Sequence, residues 1–423
     1  MNKDNPPALI FGSGLTPLGV LRSLRRSGVP AYSVCGPGEL AAASRWYKAA
    51  PLWNGRQPAP ENLKAYLETL PLGKAVLIPC SDDWTRAIAE LPESLRERFP
   101  ASIASLEAVE TLTDKWRFSR MLEKLDVPRP RTILVRSMAE LESLPAACFA
   151  NMFLKPLDSQ RFSAQTGTKA FQLESREDAL RIMMQVESNG ADCFPILLQE
   201  FVPGLADGYY LVDGFVDRHG TVQALIARQR YRQYPAPFGN STLSETIPLS
   251  RVKSAVQSLE RICEATRYRG IFDAEFKFDP RDGEFKIVEI NPRPWWFVEF
   301  ADRCGVHLCH MAYQDALGMN VPPATQYREG ERCAYMFYDF AAYRDLDPAF
   351  GSVFRWLRSL RGAGEIVFCW DDPGPALSLS MKFLRKAFGK SLGRVKPSSL
   401  PNPARPSNDP APLWSRNRRR SHS

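Results

Sequence analysis

Apolar and charged positions alternate along residues 271–278. Phe272, Ala274, Phe276 and Phe278 share one side, and Asp273, Glu275 and Lys277 share the other, the period-2 pattern of a half-buried β-strand. The run Asp279-Pro280-Arg281-Asp282-Gly283-Glu284 is a turn signal. The return strand alternates as well and sets Phe285, Ile287, Glu289 and Asn291 on one face. The register this predicts places Glu275 opposite Glu289 and Asp273 opposite Asn291, around a loop of about five residues.

The same reading predicts the rest of the chain in order. Residues 8–12 form an apolar strand, followed by the turn Gly12-Ser13-Gly14 and a helix through Leu18, Leu21 and Leu24. Gly28-Val29-Pro30 ends that helix and a second strand covers 32–34, a βαβ opening. A short buried strand at 75–78 stops at Pro79, so Cys80-Ser81-Asp82-Asp83 falls at a strand end, where α/β sheets place ligand loops. Residues 1–108 are expected to be Rossmann-like. Thr113 is the expected N-cap of a helix carrying Phe118, Met121, Leu122 and Leu125, terminated by Val127-Pro128-Arg129-Pro130. Strands at 131–135, 152–155 and 196–201, with helices at 176–187 and through Val252, Val256, Leu259 and Ile262, read as an α+β mixture over about 110–322. The pattern weakens beyond 323, where a small unit to 389 is expected. From 390 Pro, Ser, Asn and Arg dominate with little to bury, so disorder is expected.

Composition narrows the class. A chain of 423 residues suggests two or three domains, and 44% apolar with 24% charged residues is a soluble globular balance. No apolar run reaches membrane-spanning length, and the polar start lacks the basic n-region of a signal peptide, so a cytoplasmic location is expected. The formal charge of +8 sits at the end: from Lys390 on, eight Lys or Arg stand against Asp409 alone, leaving +1 for the remainder. That is no footprint for nucleic acid. Arg416, Arg418, Arg419 and Arg420 read as a solvated tail or as a contact for an anionic membrane or acidic partner. Nine cysteines are scattered without a CxxC pair, and Cys304, Cys309, His307 and His310 match no common zinc spacing, so reduced, mostly buried thiols are expected.

Two glutamates facing each other at about 5 Å repel and destabilise a sheet, unless a cation lies between them. Oxygen-only donors with an amide suit Mg²⁺. On spacing alone a surface hairpin neutralised by Lys277 or Arg293 does equally well. The segment from Gly270-Ile271-Phe272-Asp273-Ala274-Glu275 through Ile287-Val288-Glu289-Ile290-Asn291-Pro292-Arg293 resembles the metal-binding signature of the ATP-grasp superfamily. The resemblance implies an α/β and α+β fold, with a Rossmann-like N-terminal domain before an ATP-grasp module of two α+β subdomains, 109–190 and 191–322. It implies ATP held with two Mg²⁺ ions, for which Mn²⁺ can substitute, on Glu275, Glu289 and Asn291, with Arg293 near the transferred phosphoryl group.

Other positions follow from the same resemblance. Lys115 and Lys155 stand where the family supplies lysines to the phosphates. Gln199, Glu200, Phe201 and Val202 resemble the hinge strand that pairs adenine through its backbone, with Asp207 near the ribose. The glycine-rich phosphate loop is not matched, because 158–169 holds a single glycine, Gly167; Lys169 is the phosphate contact proposed there. Arg228, Arg230 and Arg232 alternate along a strand without interleaved acids and suggest an anion, either ATP phosphate, carboxylate or acyl phosphate. With Trp295-Trp296 and the Ser81-Asp82 loop, this segment is similar to carboxylate–amine ligases related to D-aspartate ligases. The implied reaction joins a small-molecule carboxylate and an amine into an amide or peptide bond through an acyl phosphate, releasing ADP and phosphate. A homodimer stays open. The competing readings are a nicotinamide-dependent oxidoreductase, drawn from Gly12-Ser13-Gly14, and a nucleotide-binding protein without catalysis. Pro17 in place of the third glycine weighs against the first.

Overall fold

The computed structural model describes residues 5–52, 56–157, 170–188, 194–235, 239–346 and 352–392. The chain divides into two compact units, Met1–Ser378 and Leu379–Ser423. Within the first, the described residues form a mixed α/β arrangement of three sheets.

The smallest sheet is parallel, with order β2-β1-β3: β1 (Ala8–Phe11), β2 (Ala31–Val34) and β3 (Val76–Pro79). All four residues of β1 are buried, which is why its sequence is an unbroken apolar run rather than an alternation. Pro79 is the last residue of β3, so the strand ends there as expected, and β3 is an edge strand, where a missing N–H is tolerated. Parallel strands end on one side, so the turn after β1 meets the loop after β3, and Cys80 N–H donates to the Phe11 carbonyl at 2.8 Å. Gly12, at φ 137°, sits where an added Cβ would come within 2.8 Å of Cys80 Cβ. Ser81 Oγ then caps the helix Asp82–Ala89 by accepting from Trp84 N–H.

The second sheet is antiparallel, order β4-β7-β5-β6: β4 (Thr132–Val135), β5 (Met152–Pro156), β6 (Phe171–Gln172) and β7 (Ile196–Glu200). The helix Arg176–Ser188 buries Ala179, Ile182, Met183 and Val186, an i, i+3, i+4, i+7 stripe, against Leu154, Ile196 and Leu198. The helix expected to be capped by Thr113 begins one residue further on, at Lys115. Asp114 is its cap, accepting from Trp116 N–H at 2.9 Å and Arg117 N–H at 2.8 Å, and Thr113 instead ends a separate helix, Leu106–Thr113. A carboxylate at the N-terminus also favours the helix dipole, which a threonine cannot do.

The third sheet has seven strands, in the order β12-β11-β8-β9-β10-β13-β14. These are β8 (Tyr209–Val216), β9 (Val222–Tyr234), β10 (Asn240–Ile247), β11 (Gly270–Asp279), β12 (Glu284–Asn291), β13 (Arg332–Ala334) and β14 (Ala363–Glu365). The helix Lys253–Thr266 packs Ala255, Leu259 and Ile262 into one core with Phe272, Ala274 and Phe276. Each fully buried Leu, Ile or Phe there contributes about 1.5–3 kcal/mol. Strands β13 and β14, from beyond residue 323, extend this same sheet.

The hairpin departs from its expected form in one respect. Glu275 pairs with Glu289 and Asp273 with Asn291, but Phe276 pairs with Ile287, so Val288 is an extra residue, a β-bulge. The loop is therefore the four residues 280–283 rather than five. The bulge also divides the face expected to hold Phe285, Ile287, Glu289 and Asn291. Ile287 joins the core with Phe276, and Phe285 packs against it, while Glu289 is exposed. At the other end of the chain the helix Gly374–Leu392 continues past residue 390, where disorder was expected to begin, and 393–423 lie outside the described residues.

Candidate functional site

A cleft of about 720 Å³ is lined by the turns of the parallel sheet (Ser13, Ser81, Asp82), by Lys115, Lys155 and Gln199, and by Glu275, Glu289, Asn291 and Arg293 of the hairpin. Three of the sequence-predicted residues, Glu275, Glu289 and Asn291, thus come from one β-ribbon, whose register fixes their spacing, and Arg293 follows two residues past its end. Asn291 Nδ2 donates to Asp273 Oδ2 at 3.0 Å, and Arg293 Nη2 donates to Asn291 Oδ1 at 3.0 Å. Arg293 Nε in turn reaches Asp82 Oδ1 at 2.7 Å, so the hairpin is tied to the loop after β3.

The opposite end of this polar chain is deeper. Asp273 faces Asp213 across the β11–β8 pair, and Arg228, 1% exposed, binds Asp213 at 3.0 Å and Asp273 at 3.1 Å through Nη2. Burial, and then the Asp213 carboxylate, push the Asp273 carboxyl well above the usual range. Glu275 is raised as well, first by burial; Arg230 pulls it back, while Glu289 and Asp273 push it further. In this state Arg230 Nη2 neutralises Glu275 at 2.7 Å, a role that neither Lys277 nor Arg293 takes.

The three arginines of β9 do not present one anion-binding face. Each meets a carboxylate from another element: Arg228 has Asp213, Arg230 has Glu275, and Arg232 has Asp339 at 2.7 Å. Arg228 and Arg230 line the cleft, but Arg232 points elsewhere, to Asp339 and to Ser359 Oγ at 3.0 Å. Here the β9–β10 pairing is irregular on both strands. Arg230 and Arg232 pair with the adjacent Ser244 and Leu243, so Tyr231 is extra on β9, and Thr242 is in turn skipped on β10, which breaks the alternation between the two arginines.

Lys115 opens its helix and donates to the carbonyls of Pro156, at 3.2 Å, and Leu157, which joins it to the end of β5 beside Lys155. Gln199 lies on the cleft wall and donates from Nε2 to Thr132 Oγ1 at 3.2 Å. Beyond it, Phe201 N–H donates to the Asn151 carbonyl at 2.7 Å, the Glu200 carboxylate accepts from Arg131 N–H at 3.0 Å, and Val202 is buried. Asp207 is exposed, and its carbonyl accepts from Gln229 Nε2 at 2.7 Å. Lys169 and the 158–169 loop lie outside the described residues.

Two positions near the site were given no place in it by the sequence, and one pairing was not foreseen. Asp213 is the first position, although a lone acid inside the apolar run of β8 was a signal. Asp82 was expected on a ligand loop, but not its pairing with Arg293, which spans 211 positions. Lys277 is the second position: its Nζ donates to the Gly204 carbonyl at 3.0 Å and lies 4.8 Å from the Phe201 ring and 4.6 Å from the Tyr209 ring, so that burial, with Arg230 adding to it, lowers its pKa to about 8. At the first βα turn, Gly14 N–H donates to the Glu39 carboxylate at 2.7 Å, which places a protein acid where a dinucleotide enzyme holds a pyrophosphate.

No family model matches the chain. In sequence it is 27% identical over 249 residues to a D-aspartate ligase from Enterococcus faecium, covering 57% of this chain and 58% of that protein. It is 24% identical over 218 residues to the C-terminal section of a carbamoyl phosphate synthase large chain from Methanopyrus kandleri, covering 51% of this chain and 39% of that protein. Both matches span less than two thirds of the relative. In fold it is similar to a carboxyaminoimidazole ribonucleotide synthase from Aspergillus clavatus complexed with ATP, at a TM-score of 0.58 and 14% identity over 78% of this chain and 82% of that one. These likenesses bear out the resemblance read from the hairpin, to the ATP-grasp superfamily and its carboxylate–amine ligases.

Proposed function

We propose that this chain, an ATP-grasp protein akin to D-aspartate ligases, is an ATP-dependent carboxylate–amine ligase that works through an acyl phosphate in the cytoplasm. The observation that carries the reading is the pairing of Glu275 with Glu289 at the wall of the cleft, with Asn291 and Arg293 in line beside them. Like charges across a β-ribbon are unfavourable unless a cation joins them. The burial of Glu275 sharpens that need. Among the described residues no three His, Cys, Asp or Glu side chains converge as a self-contained metal cluster. Two carboxylates and an amide oxygen therefore fit magnesium completed by phosphate and water oxygens, whether one ion or two, with manganese able to substitute. When bound, Mg²⁺ supplies charge neutralisation at the phosphates of ATP.

The protein's own groups do the rest by positioning. Lys115 and Lys155, side by side at the end of β5, set positive charge along the phosphate path, and Lys169 is a further candidate. The strand end from Gln199 to Val202 suits the adenine edge, with Asp207 toward the ribose. Arg230 holds the Glu275 carboxylate in place. Arg293 stands ready for the transferred phosphoryl or the carbonyl oxyanion once it parts from Asp82. Arg228 Nη1 and Trp295 Nε1, both on residues of the cleft wall, are buried donors without a hydrogen-bond acceptor among the described residues. They suit the oxygens of a carboxylate substrate. In the reaction a substrate carboxylate oxygen takes the γ-phosphoryl group and ADP leaves; the amine nitrogen then bonds to the carbonyl carbon and phosphate leaves. The division into 1–108, 109–190, 191–322 and 323–389 is the domain layout that this reading implies.

The test is ADP release by the full chain with pooled carboxylates and pooled amines, in the presence of Mg²⁺. Release that needs a member of each pool supports the ligase. Nucleotide binding with no ADP from any pool, or hydride transfer with a nicotinamide, overturns it.

A further inference from the structure

The helix Gly374–Leu392 carries an apolar set for which ligation has no use. Leu377 is 62%, Met381 52% and Leu384 56% exposed. Their spacing of i, i+4 and i+7 puts all three on one side of the helix. Phe383, Lys382 and Arg385 are also exposed on the same turns. Large apolar side chains massed in water on one short element mark a surface made for contact.

The sequence gives the sign of the partner. Across residues 373–408 there are seven Lys or Arg and no Asp or Glu, in a chain that otherwise nearly balances its charges. An apolar stripe bordered by basic side chains, in a segment without acidic residues, matches a surface that is greasy beneath and anionic above. Leu377, Met381 and Leu384 enter the acyl boundary, while Lys382 and Arg385 extend their charged ends to lipid phosphates. A nucleic acid would reward the charge but leave the stripe in water. An uncharged protein groove would reward the stripe and waste the charge. No described helix is long and apolar enough to cross a membrane, and an apolar stripe along one side suits a helix lying in the plane of the surface. We propose that the helix Gly374–Leu392 docks this protein on anionic lipid bilayers.

Co-sedimentation of the full chain with vesicles tests this. Partitioning is expected to rise about 10-fold or more when roughly a third of the phosphatidylcholine is replaced by phosphatidylglycerol, and to fall again as salt rises from about 0.1 to 0.5 M. Met381→Asp with Leu384→Asp, and separately Lys382→Glu with Arg385→Glu, should each weaken binding about 10-fold. All four positions are solvent-exposed, so thermal melting should not change. A chain with Arg416, Arg418, Arg419 and Arg420 all changed to Ser should keep most of its binding. The proposal fails if neutral and anionic vesicles bind equally, if both helix variants still bind, or if only the tail variant loses binding. It also fails if the chain is retained by single-stranded DNA or polyglutamate but not by vesicles.

Discussion

Glu275 is held by competing forces: burial and two neighbouring carboxyls favour its neutral form, and Arg230 favours the charged one. Glu275→Gln removes one of two facing carboxylates but keeps the side chain's shape. Mg²⁺-dependent ADP formation should fall about 10²–10³-fold, the scale for losing one preorganised electrostatic contact. Melting should change little, since repulsion and the Arg230 pair are lost together; wild-type turnover in the variant would refute the metal role. Lys277 gives a second expectation at this scale. Its folded value is about 8, against roughly 10.4 for an unfolded lysine. Between those values the unfolded chain keeps a proton that the folded chain has released, so stability rises with pH across that window, and below it the folded state carries the whole burial penalty. Lys277→Met should flatten the melting temperature between about pH 8 and 10 relative to wild type. Parallel curves for the two proteins would count against a buried, depressed lysine.

Among the elements, two bulges decide which side chains reach the cleft. Val288 sends Ile287 into the core while Glu289 remains across from Glu275, and Tyr231 turns Arg232 away from Arg230. Deleting Val288 should restore strict alternation and force a choice between burying Glu289 and exposing Ile287. The deletion variant is expected to lose Mg²⁺-nucleotide binding, and to lose stability by about 2–4 kcal/mol because a core Ile or a carboxylate ends in the wrong medium. Denaturant unfolding with nucleotide titration reads both, and full affinity in the deletion would show that the bulge is dispensable. These bulges also mark where the sequence could be read and where it could not. The pairing of Glu275 with Glu289 was legible because it lies a few residues from a recognisable turn. The side occupied by Ile287 and Arg232 was not, because a period-2 reading assumes that no residue has been inserted. Strands β8 and β10 were missed for a related reason. Buried on both faces, they show no alternation, and only neighbouring strands reveal them.

At the scale of the whole molecule, a run of polar contacts crosses from the seven-stranded sheet to the parallel one through Arg228, Asp273, Asn291, Arg293 and Asp82. Its last step was the least legible, since nothing local in either segment announces a partner 211 positions away. In the proposed ligase that step competes with ligand binding. An Arg293 that holds Asp82 is not available to a phosphate, and the pair is only partly shielded, at 18% and 42% exposure. Asp82→Asn should therefore tighten nucleotide binding about 3–10-fold, a change in keeping with a partly exposed ion pair. Equilibrium titration with ATP analogues measures it, and weaker binding in the variant would show that Asp82 aims the arginine rather than competing for it.

The Asp82–Arg293 clasp has one more consequence. Trp84 occupies the same first helical turn as Asp82 and is buried, its ring 4.9 Å from that of Phe11. If Arg293 parts from Asp82 on ligand binding, as the proposed function requires, an indole placed there would sense the shift of the loop. Trp84 is then a native fluorophore through which occupancy of the hairpin could be followed without any dye.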